Sequence, residues 1–497
     1  MDERYIPPSG RDRRNTSSSE RRYTDSQNEQ NTPRRENRYL SEDRYIAPRP
    51  NQNGAPANRD NSLARRRRQQ ERLKRRRKKK ILRAVVLAGL LIVLILIILI
   101  LKALFGFIGS LFTKDDKTEE VDATPTTVTA SVLSGGDVIL HSPIFESELY
   151  ITGEDTYDFS PIFSYVKSDL EDADLTVLNL ETTISDGDYS GYPLFKCPDE
   201  IATALKENGT DLCLLANNHI YDNRTDGLNM TMDVVEQNSL LFTGTRRTEE
   251  DPIYSVQDLN GIKVGILNYV FETGTSTDSK LINDLAVDAA DAPLINSFNY
   301  ENLDAFYAEV STALEDMKND GVEYTIAYIH WGNEYQLEED VHQQEIAQGL
   351  CDLGINALIG GHPHVVQPVD LLTDTEGDHQ MLCVDSVGNI LSNQRRDLIS
   401  SQPNGHTEDG LLVKLSLEQT GDGAVSLTAV DFIPTWVYKD SAESNSEYFI
   451  LPLDSTDELL EEVTDLDIEE SINESLERTN VIIGEGVEKV QSALPLS

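Results

Sequence analysis

The stretch Val341–His364, VHQQEIAQGLCDLGINALIGGHPH, shows a sequence pattern that occurs several times along the chain. A helical pattern that stops at Gly354 is followed by the apolar run Ile355–Ile359, which predicts a buried strand. Two glycines then precede His362 and His364, so both imidazoles follow the end of a strand on an open loop. Proteins present metal ligands in this way, and we interpret the pair as ligands rather than as incidental histidines of a turn.

The order of helix, glycine or turn, buried strand and polar cluster occurs several times along the chain. Predicted helices cover residues 159–173, 199–208, 300–319 and 341–353, and predicted strands cover residues 127–133, 175–178, 212–215, 262–268, 323–329, 355–359, 380–384, 411–417 and 425–436. Such alternation predicts an α/β domain, in which functional side chains gather beyond the carboxyl ends of the strands.

Side chains that suit a divalent metal follow these strands. They are Asp137, His141, Asn179, Glu181, Asn218, His219, His330, His362 and His364, and they include five of the eight histidines in the chain. Carboxylate, imidazole and amide oxygen together favour one or two ions of the Mn, Fe or Zn class, and Glu181 could bridge two ions. Single members also have structural explanations, because Asp137 could cap a helix and His330 could be packed beside Trp331.

Charge divides the chain into two parts. Residues 1–83 carry 25 Lys and Arg against 11 Asp and Glu, whereas the remaining residues carry 18 against 75. Between them, residues 84–101 form an uncharged run that continues as the mostly apolar segment up to residue 112. A helix needs about 20 apolar residues to cross a bilayer, and a buried soluble helix would show a polar face, so we predict a transmembrane signal anchor over residues 84–112.

Residues 64–83 form a polybasic segment directly before this span. Positive residues stay on the cytoplasmic side, so we expect a single-pass protein of the cell membrane with its N-terminus in the cytoplasm and its main domain outside. A cleaved signal peptide fits less well, because the charged region before the apolar run is too long. Basic runs also bind nucleic acid, but the position beside the membrane favours anionic lipid headgroups, and we expect no nucleic-acid partner.

The remaining segments complete the predicted organisation. Residues 1–63 are rich in polar residues and poor in large aliphatics, which predicts a disordered cytoplasmic tail. Residues 113–126 are a linker, residues 127–437 are the main domain, and residues 438–497 are an acidic C-terminal extension with a packing or solvating role. The four cysteines lie on the outer side, where disulfides are permitted, but their mostly apolar neighbours favour buried free thiols.

Six short motifs, in this order, resemble the CapA family of capsule and poly-γ-glutamate synthesis proteins. They are Gly-Gly-Asp at 135–137, Asn-Leu-Glu at 179–181, Ala-Asn-Asn-His at 216–219, His-Trp-Gly-Asn-Glu at 330–334, Gly-His-Pro-His at 361–364 and Ser-Val-Gly-Asn at 386–389. The resemblance covers roughly residues 127–437, and the ordered set is specific although each motif alone is weak. It implies a calcineurin-like metallophosphoesterase fold, a sandwich of two β-sheets flanked by helices.

The resemblance also implies a role for each matching residue. The metal ligands it implies are Asp137, Glu181, Asn218, His330, His362 and His364, the catalytic residue is His219, and further candidates for the site are His141, Asn179, Glu334 and Asn389. The phosphoesterase pattern has a histidine two residues after the first aspartate, where this chain has Ile139. His141 stands two residues further on and could substitute for it.

Two functions are compatible with these features. In the first, the chain is a membrane-anchored component of capsule or poly-γ-glutamate synthesis and export, with other subunits of that machinery as partners. In the second, the outer domain is a metal-dependent hydrolase of a phosphoester or amide in the cell envelope, with His219 protonating the leaving group. Because the outer domain is strongly acidic, we expect an anionic envelope polymer to bind through divalent cations.

Overall fold

The computed structural model of the 497-residue chain describes residues 125–496, apart from residues 155, 277–278, 441–444, 454–455 and 464–465. The predicted tail, polybasic segment and membrane span, and all but the last two residues of the predicted linker, lie outside the described residues. Within the described part of the chain, no helix combines the length and the apolar character needed to cross a membrane.

The described residues form a mixed α/β structure. Its strands are β1 (Thr127–Val138), β2 (Ile151–Gly153), β3 (Thr156–Tyr157), β4 (Leu175–Leu180), β5 (Leu212–Leu214), β6 (Leu241–Thr243), β7 (Tyr254–Leu259), β8 (Ile262–Phe271), β9 (Leu281–Ile282), β10 (Leu285–Ala286), β11 (Ser297–Phe298), β12 (Tyr324–His330), β13 (Ala357–Gly361), β14 (Val369–Thr373), β15 (Gln380–Val384), β16 (Asn389–Leu391), β17 (Asp409–Thr420), β18 (Ser426–Lys439) and β19 (Tyr448–Pro452). Its α-helices are α1 (Ser142–Phe145), α2 (Lys167–Leu170), α3 (Glu200–Glu207), α4 (Arg224–Gln237), α5 (Leu303–Asn319), α6 (Val341–Asp352), α7 (Thr456–Val463) and α8 (Glu469–Ala493). Single 3-10 turns lie at Ser160–Phe163, Ala292–Leu294, Tyr300–Asn302 and His406–Glu408.

Two large sheets contain most of these strands. Within the described residues, the first sheet has eight strands in the order β19-β18-β17-β1-β4-β5-β6, with β16 also paired to β1. The second has seven strands in the order β11-β8-β12-β13-β15-β14, with β7 paired to β8. The central strands β1, β4, β5 and β6 of the first sheet are parallel to one another, as are β8, β12, β13 and β15 of the second. Parallel strands end at one edge of a sheet, so each sheet presents a common carboxyl edge.

The two sheets pack face to face because both faces of their central strands are apolar. In β1, Val132 belongs to a core shared by both sheets, whereas the next residue, Leu133, packs on the outer side. In β12, Ile326 belongs to the same shared core and Ala327 packs outward. Neighbouring residues of a strand point to opposite faces, so a continuous apolar run buries both faces of a sheet.

Helices cover the outer face of each sheet. Ile201 and Leu205 of α3 pack in the cluster that covers the first sheet, together with residues of α4. Phe306 and Val310 of α5 pack on the second sheet, together with residues of α6. The layers therefore run helix, sheet, sheet, helix.

The C-terminal residues pack against this sandwich. The predicted domain boundary at residue 437 lies inside β18, and β19 joins the first sheet beyond it. Helix α8 places Ile483 and Val490 in the core shared by the two sheets. A side chain at Gly486 would put its Cβ 1.6 Å from the Val369 carbonyl oxygen, so the helix approaches β14 as closely as glycine allows.

The predicted helix over residues 159–173 is interrupted. A 3-10 turn at Ser160–Phe163 is followed by the single-turn helix α2, which ends at Leu170. The Thr176 hydroxyl donates a hydrogen bond of 2.8 Å to the Leu170 carbonyl oxygen, which satisfies the carbonyl that a longer helix would use. The apolar spacing correctly predicted buried side chains in this segment, but it did not predict the break between the 3-10 turn and α2.

All four cysteines are buried free thiols, as the apolar neighbours of Cys213, Cys351 and Cys383 favoured for those three. Cys213 lies in β5 and Cys383 in β15, where each side chain is fully or almost fully covered.

Candidate functional site

The candidate site lies where the carboxyl ends of strands from the two sheets meet. Asp137 stands near the end of β1, and Glu181 directly follows β4 in the same sheet. His330 is the last residue of β12, and the histidines of the Gly-His-Pro-His motif follow β13 in the other sheet. Each side chain is at most 6 % exposed, so the sandwich gathers them in a desolvated cluster.

Glycines let the backbone of β1 bring Asp137 to this edge. A Cβ at Gly136 would lie 1.9 Å from the Gly388 carbonyl oxygen, which accepts a hydrogen bond of 3.0 Å from the Asp137 amide. The Asp137 carboxylate accepts a hydrogen bond of 3.1 Å from Nδ1 of His364 and one of 3.3 Å from the His362 amide. This carboxylate therefore binds groups of the second sheet from its place in the first.

Asn179 connects the ligand candidates to one another. Its Nδ2 donates to Oδ1 of Asp137 at 2.7 Å and to Oε2 of Glu181 at 3.3 Å, and it lies 3.5 Å from Nδ1 of His330. Its Oδ1 accepts a hydrogen bond of 3.1 Å from Asn217. With both ends of its amide used in this way, Asn179 orients the carboxylates rather than facing an ion itself.

His330 and Asn218 meet at the same place. Nε2 of His330 lies 3.0 Å from Oδ1 of Asn218 and 3.7 Å from Oε1 of Glu181. The Asn218 oxygen thus lies beside the imidazole and carboxylate groups and is available as a neutral oxygen ligand.

His362 and His364 adopt φ angles of 95° and 57°, which non-glycine residues rarely do. The ring of His362 packs 4.9 Å from that of His330 and 4.8 Å from that of Phe271. Strained backbone of this kind persists where packing enforces it, and it is common at functional sites.

The donor set fits a divalent metal. Two groups of three ligand atoms lie within 4.8 Å of one another, namely Glu181 with His330 and His362, and Asp137 with Glu181 and His364. Oε1 of Glu181 and Nδ1 of His362 are buried and have no hydrogen-bond partner among the described residues. A buried polar atom without a partner is costly, and a cation would supply the missing interaction. Glu181 belongs to both groups, so the geometry suits two ions that share one carboxylate.

Burial and neighbouring groups shift the pKa values of the side chains in the cluster. Burial, and then the nearby Asp137 carboxylate, raise the pKa of Glu181 well above its usual value. Burial and the neighbouring histidines lower the pKa of His330 and His362 well below the usual value, which keeps both rings neutral. Burial also lowers the pKa of His364, but the hydrogen bond and charge of Asp137 outweigh it and the pKa is raised overall. Neutral imidazoles and a carboxyl group that ionises beside a cation are the forms that bind metal.

His219 lies beside the ligand cluster and is held by a partner that sequence patterns did not reveal. Its Nδ1 donates a hydrogen bond of 2.8 Å to Oδ2 of the buried Asp222. The same Oδ2 accepts a hydrogen bond of 2.7 Å from the Phe195 amide, and the Phe195 ring meets the His219 ring edge-on at 4.6 Å. The carboxylate therefore fixes the orientation and tautomer of the imidazole.

Asp222 could have been found from its spacing three residues after His219, but many aspartates have such a spacing. Asn283 offered no local signal at all, because it belongs to a hairpin between β9 and β10. Its Nδ2 donates to Oδ1 of Asp222 at 3.2 Å and lies 3.5 Å from Nδ1 of His219. Asn217, which holds Asn179, was visible in the Ala-Asn-Asn-His motif but had no assigned role.

The remaining candidates lie around the cluster. Nδ1 of His141 accepts a hydrogen bond of 3.1 Å from the Asn393 amide, and His141 belongs to neither group of ligand atoms. Glu334 is half-buried, and its charge contributes to raising the pKa of Glu181. Asn389 pairs with Asp137 through the backbone and donates to the His364 carbonyl oxygen at 3.2 Å. These three residues lie near the ligand cluster and belong to neither group of ligand atoms.

Comparison with known proteins finds a family and two relatives that match this part of the chain. The family described as "Bacterial capsule synthesis protein PGA_cap" matches residues 131–394, slightly more than half of the chain, and this range includes every ligand candidate. The "Capsule biosynthesis protein CapA" of Bacillus anthracis is 24% identical over 282 residues, which are 55% of this chain and 62% of that protein. The "PGA biosynthesis protein CapA" of Bacillus subtilis (strain 168) is 24% identical over 252 residues, which are 50% of this chain and 58% of that protein. The chain thus spans about three fifths of the length of each relative.

Proposed function

The chain belongs to the bacterial capsule synthesis protein PGA_cap family, and we propose that it acts in the synthesis or export of a capsule or poly-γ-glutamate polymer. The observation that carries this proposal is the buried cross-sheet cluster built around Glu181, which lies within the range that matches the family. The names of the two relatives, one for capsule biosynthesis and one for PGA biosynthesis, support the same role.

In the proposed arrangement, the main domain lies on the outer side of the cell membrane. Residues 84–112 would anchor the chain as a single span, and the polybasic residues 64–83 would bind anionic lipid headgroups on the cytoplasmic side. The described domain would then meet a polymer after it has crossed the membrane. Membrane fractionation of cells that express the full chain tests this, since alkaline extraction should leave the chain in the membrane, and added protease should digest the outer domain of intact spheroplasts.

The ligand cluster would hold one or two divalent cations of the Mn, Fe or Zn class. Asp137, Glu181 and His364 would bind one ion, Glu181 with His330 and His362 a second, and Asn218 would complete the set with a neutral oxygen. Residues 84–497 carry 18 basic and 75 acidic side chains, so most of the surface repels an acidic polymer. Bound cations would provide the positive charge that such a polymer needs.

A second function, metal-dependent hydrolysis on a calcineurin-like metallophosphoesterase fold, is favoured by one observation. Asp222 holds Nδ1 of His219 at 2.8 Å, an arrangement that stabilises the imidazolium and leaves Nε2 to exchange a proton with a leaving group. A bound metal would supply an activated water for attack on a phosphoester or amide. Such an activity could trim or release a polymer within the same biological role.

Metal content is the first test of both functions. The full-length chain, purified in detergent, should contain one or two equivalents of a divalent metal by mass spectrometry, and a variant with His362→Ala and His364→Ala should contain none. His342→Ala is a matched control, because His342 lies on the exposed start of α6 and outside the cluster. Absence of metal from the native chain after reconstitution with Mn, Fe and Zn would contradict the proposed site.

Turnover then separates the two functions. Phosphodiester and γ-glutamyl amide substrates should be cleaved only by metal-loaded protein if the chain is a hydrolase. Stoichiometric metal without turnover favours a role in polymer handling. Deletion of the gene from the bacterium that encodes the chain should reduce its extracellular polymer, and restoration should require the ligand histidines.

A further inference from the structure

A second polar cluster lies next to the candidate metal centre, on the side of the first sheet. It joins His141, Asn393 and Lys439, of which the first follows β1 and the last is the final residue of β18. Asn393 connects the other two, because its amide donates to Nδ1 of His141 at 3.1 Å and its Oδ1 accepts from Nζ of Lys439 at 2.9 Å. Asn393 thus holds His141 through its backbone and Lys439 through its side chain.

Three observations connect this cluster to the candidate centre. His141 lies four residues after Asp137 along the same chain segment. Phe195 packs edge-on against His141 at 5.3 Å and against His219 at 4.6 Å, so one aromatic ring separates the two imidazoles. Burial, and then the charges of His364 and His219, lower the pKa of His141 to about 3. The His141 ring is therefore neutral.

Lys439 is a half-buried cation that contacts neutral groups. Besides Asn393, its Nζ lies 5.5 Å from the centre of the Tyr448 ring. Among the described residues, no carboxylate forms an ion pair with it, although the charge of Asp397 acts on it at longer range. Burial, and then the nearby Arg395 guanidinium, lower the pKa of Lys439. An ammonium group in such surroundings gains from an anionic partner.

The positive charge of the neighbouring Arg395 is paired with a carboxylate. Its guanidinium is 12% exposed and is paired with the buried Glu408 at 3.2 Å, and Glu408 also binds Arg396 at 3.1 Å. The guanidinium groups of this region therefore have carboxylate partners of their own, since Arg396 also pairs with Glu474 at 3.5 Å.

We propose that Lys439, positioned by Asn393 and His141, forms a subsite for a carboxylate group beside the candidate metal centre. The inference rests on the proposed role with an acidic polymer, and the substrate class is a γ-linked glutamate chain. One carboxylate of the chain would lie at the ligand cluster while a neighbouring carboxylate pairs with the Lys439 ammonium. The subsite would select for repeated acidic groups, since a single carboxylate cannot occupy both places.

Binding of a synthetic γ-linked hexaglutamate to the full-length, Mn-loaded chain tests this proposal by calorimetry. Lys439→Gln should weaken binding about tenfold, the size expected for loss of one charge-assisted hydrogen bond. Lys439→Arg should retain most of the affinity because it keeps the charge. Lys414→Gln is the matched control, since Lys414 lies in the same sheet but pairs with Asp172 at 3.0 Å. Thermal unfolding of each variant shows whether it is folded.

The binding results distinguish failure of the Lys439 subsite from failure of the proposed function. Equal affinity of Lys439→Gln and Lys414→Gln, with binding lost in the double variant of His362 and His364, would overturn the subsite and leave the proposed function intact. No binding of hexaglutamate by the metal-loaded native chain would overturn both. Inorganic phosphate is the second probe, and Lys439-dependent binding of phosphate without binding of hexaglutamate would assign the subsite to phosphate and overturn the carboxylate assignment.

Discussion

Nδ1 of His364 lies 3.1 Å from Oδ2 of Asp137, although 227 positions separate the two residues in the sequence. Asp137 belongs to the first sheet, and His364 follows β13 of the second. This contact joins the two layers of the sandwich at the candidate metal centre. Because each sheet contributes ligands, the site forms only when the two layers pack together. Substitutions of residues at the site can therefore be compared for their separate effects on metal binding and on folding.

Glu181→Gln should reduce metal binding to one ion or fewer. The carboxylate belongs to both groups of ligand atoms, and the amide that replaces it provides a weaker, neutral ligand. Mass spectrometry of metal content, together with calorimetric titration of Mn²⁺, measures this effect. If the variant retains two ions with native affinity, Glu181 is not the shared ligand.

Gly361→Ala should weaken metal binding while the domain stays folded. A Cβ at this position would lie 3.1 Å from Oδ1 of Asp137 and 3.7 Å from Nδ1 of His330, inside the ligand cluster. We expect an affinity loss of about tenfold, measured by Mn²⁺ titration, which corresponds to about 1.4 kcal/mol. Gly484→Ala in α8 is the control, since its Cβ would meet no atom within 4 Å and the change should stabilise the helix. Equal metal affinity of the two variants would contradict the predicted crowding.

Asp222→Asn should preserve metal content but impair any hydrolytic activity. The amide cannot stabilise a positively charged His219, and it can favour the other tautomer of the ring. A general acid contributes about 100-fold or more to a rate, so kcat should fall by at least that factor. Metal analysis and a kinetic assay on the same preparation check both parts. Unchanged kcat would remove His219 from the chemistry.

The buried Asp385 should make stability depend on pH. Burial, and then the charge of Glu339, raise the pKa of Asp385 to about 7. The folded state therefore binds a proton more tightly than the unfolded state, and it loses stability as the pH rises from about 4 to about 7. A shift of about three pKa units corresponds to about 4 kcal/mol at most.

Asp385→Asn should consequently unfold at a higher urea concentration than the native chain at pH 8, and the difference should shrink at pH 5. Fluorescence of Trp331 and Trp436 follows unfolding, because both tryptophans are buried in the domain. The exposed Asp422→Asn is the control. An equal difference at both pH values would show that Asp385 does not titrate in this range.

Arg478→Met should destabilise the attachment of α8 to the sandwich. Arg478 donates two hydrogen bonds of 2.8 Å and 2.7 Å to Asp409, whose side chain is only 2% exposed. Removal of one partner of a buried pair costs about 3–5 kcal/mol, which urea denaturation would detect. Arg247→Met removes a surface pair with Asp233 and Glu236 and should cost at most about 1 kcal/mol. Similar losses in both variants would mean that the buried pair has no special role.

Local sequence patterns were enough to predict which residues stand at the strand ends. Apolar runs such as Ile355–Ile359 predicted buried strands because their local pattern is enough to specify burial. The following polar residues predicted metal chemistry, and the structure places Asp137, Glu181, His330 and the two motif histidines in two overlapping groups of ligand atoms. Residue type and position after a strand are local properties, and they can be read without the fold.

Contacts among these residues, in contrast, depend on how the chain folds. The pairing of His219 with Asp222 and Asn283, and of His141 with Asn393, depends on loops that are brought together by the packing of distant strands. The same holds for the last helix, whose apolar residues fill a core made by both sheets. Hydrophobic patterns specify that a face is buried but not which distant face covers it, because the free energy of burial is nearly the same for many apolar partners. Strand order and register select the partners, and they exist only in the folded chain.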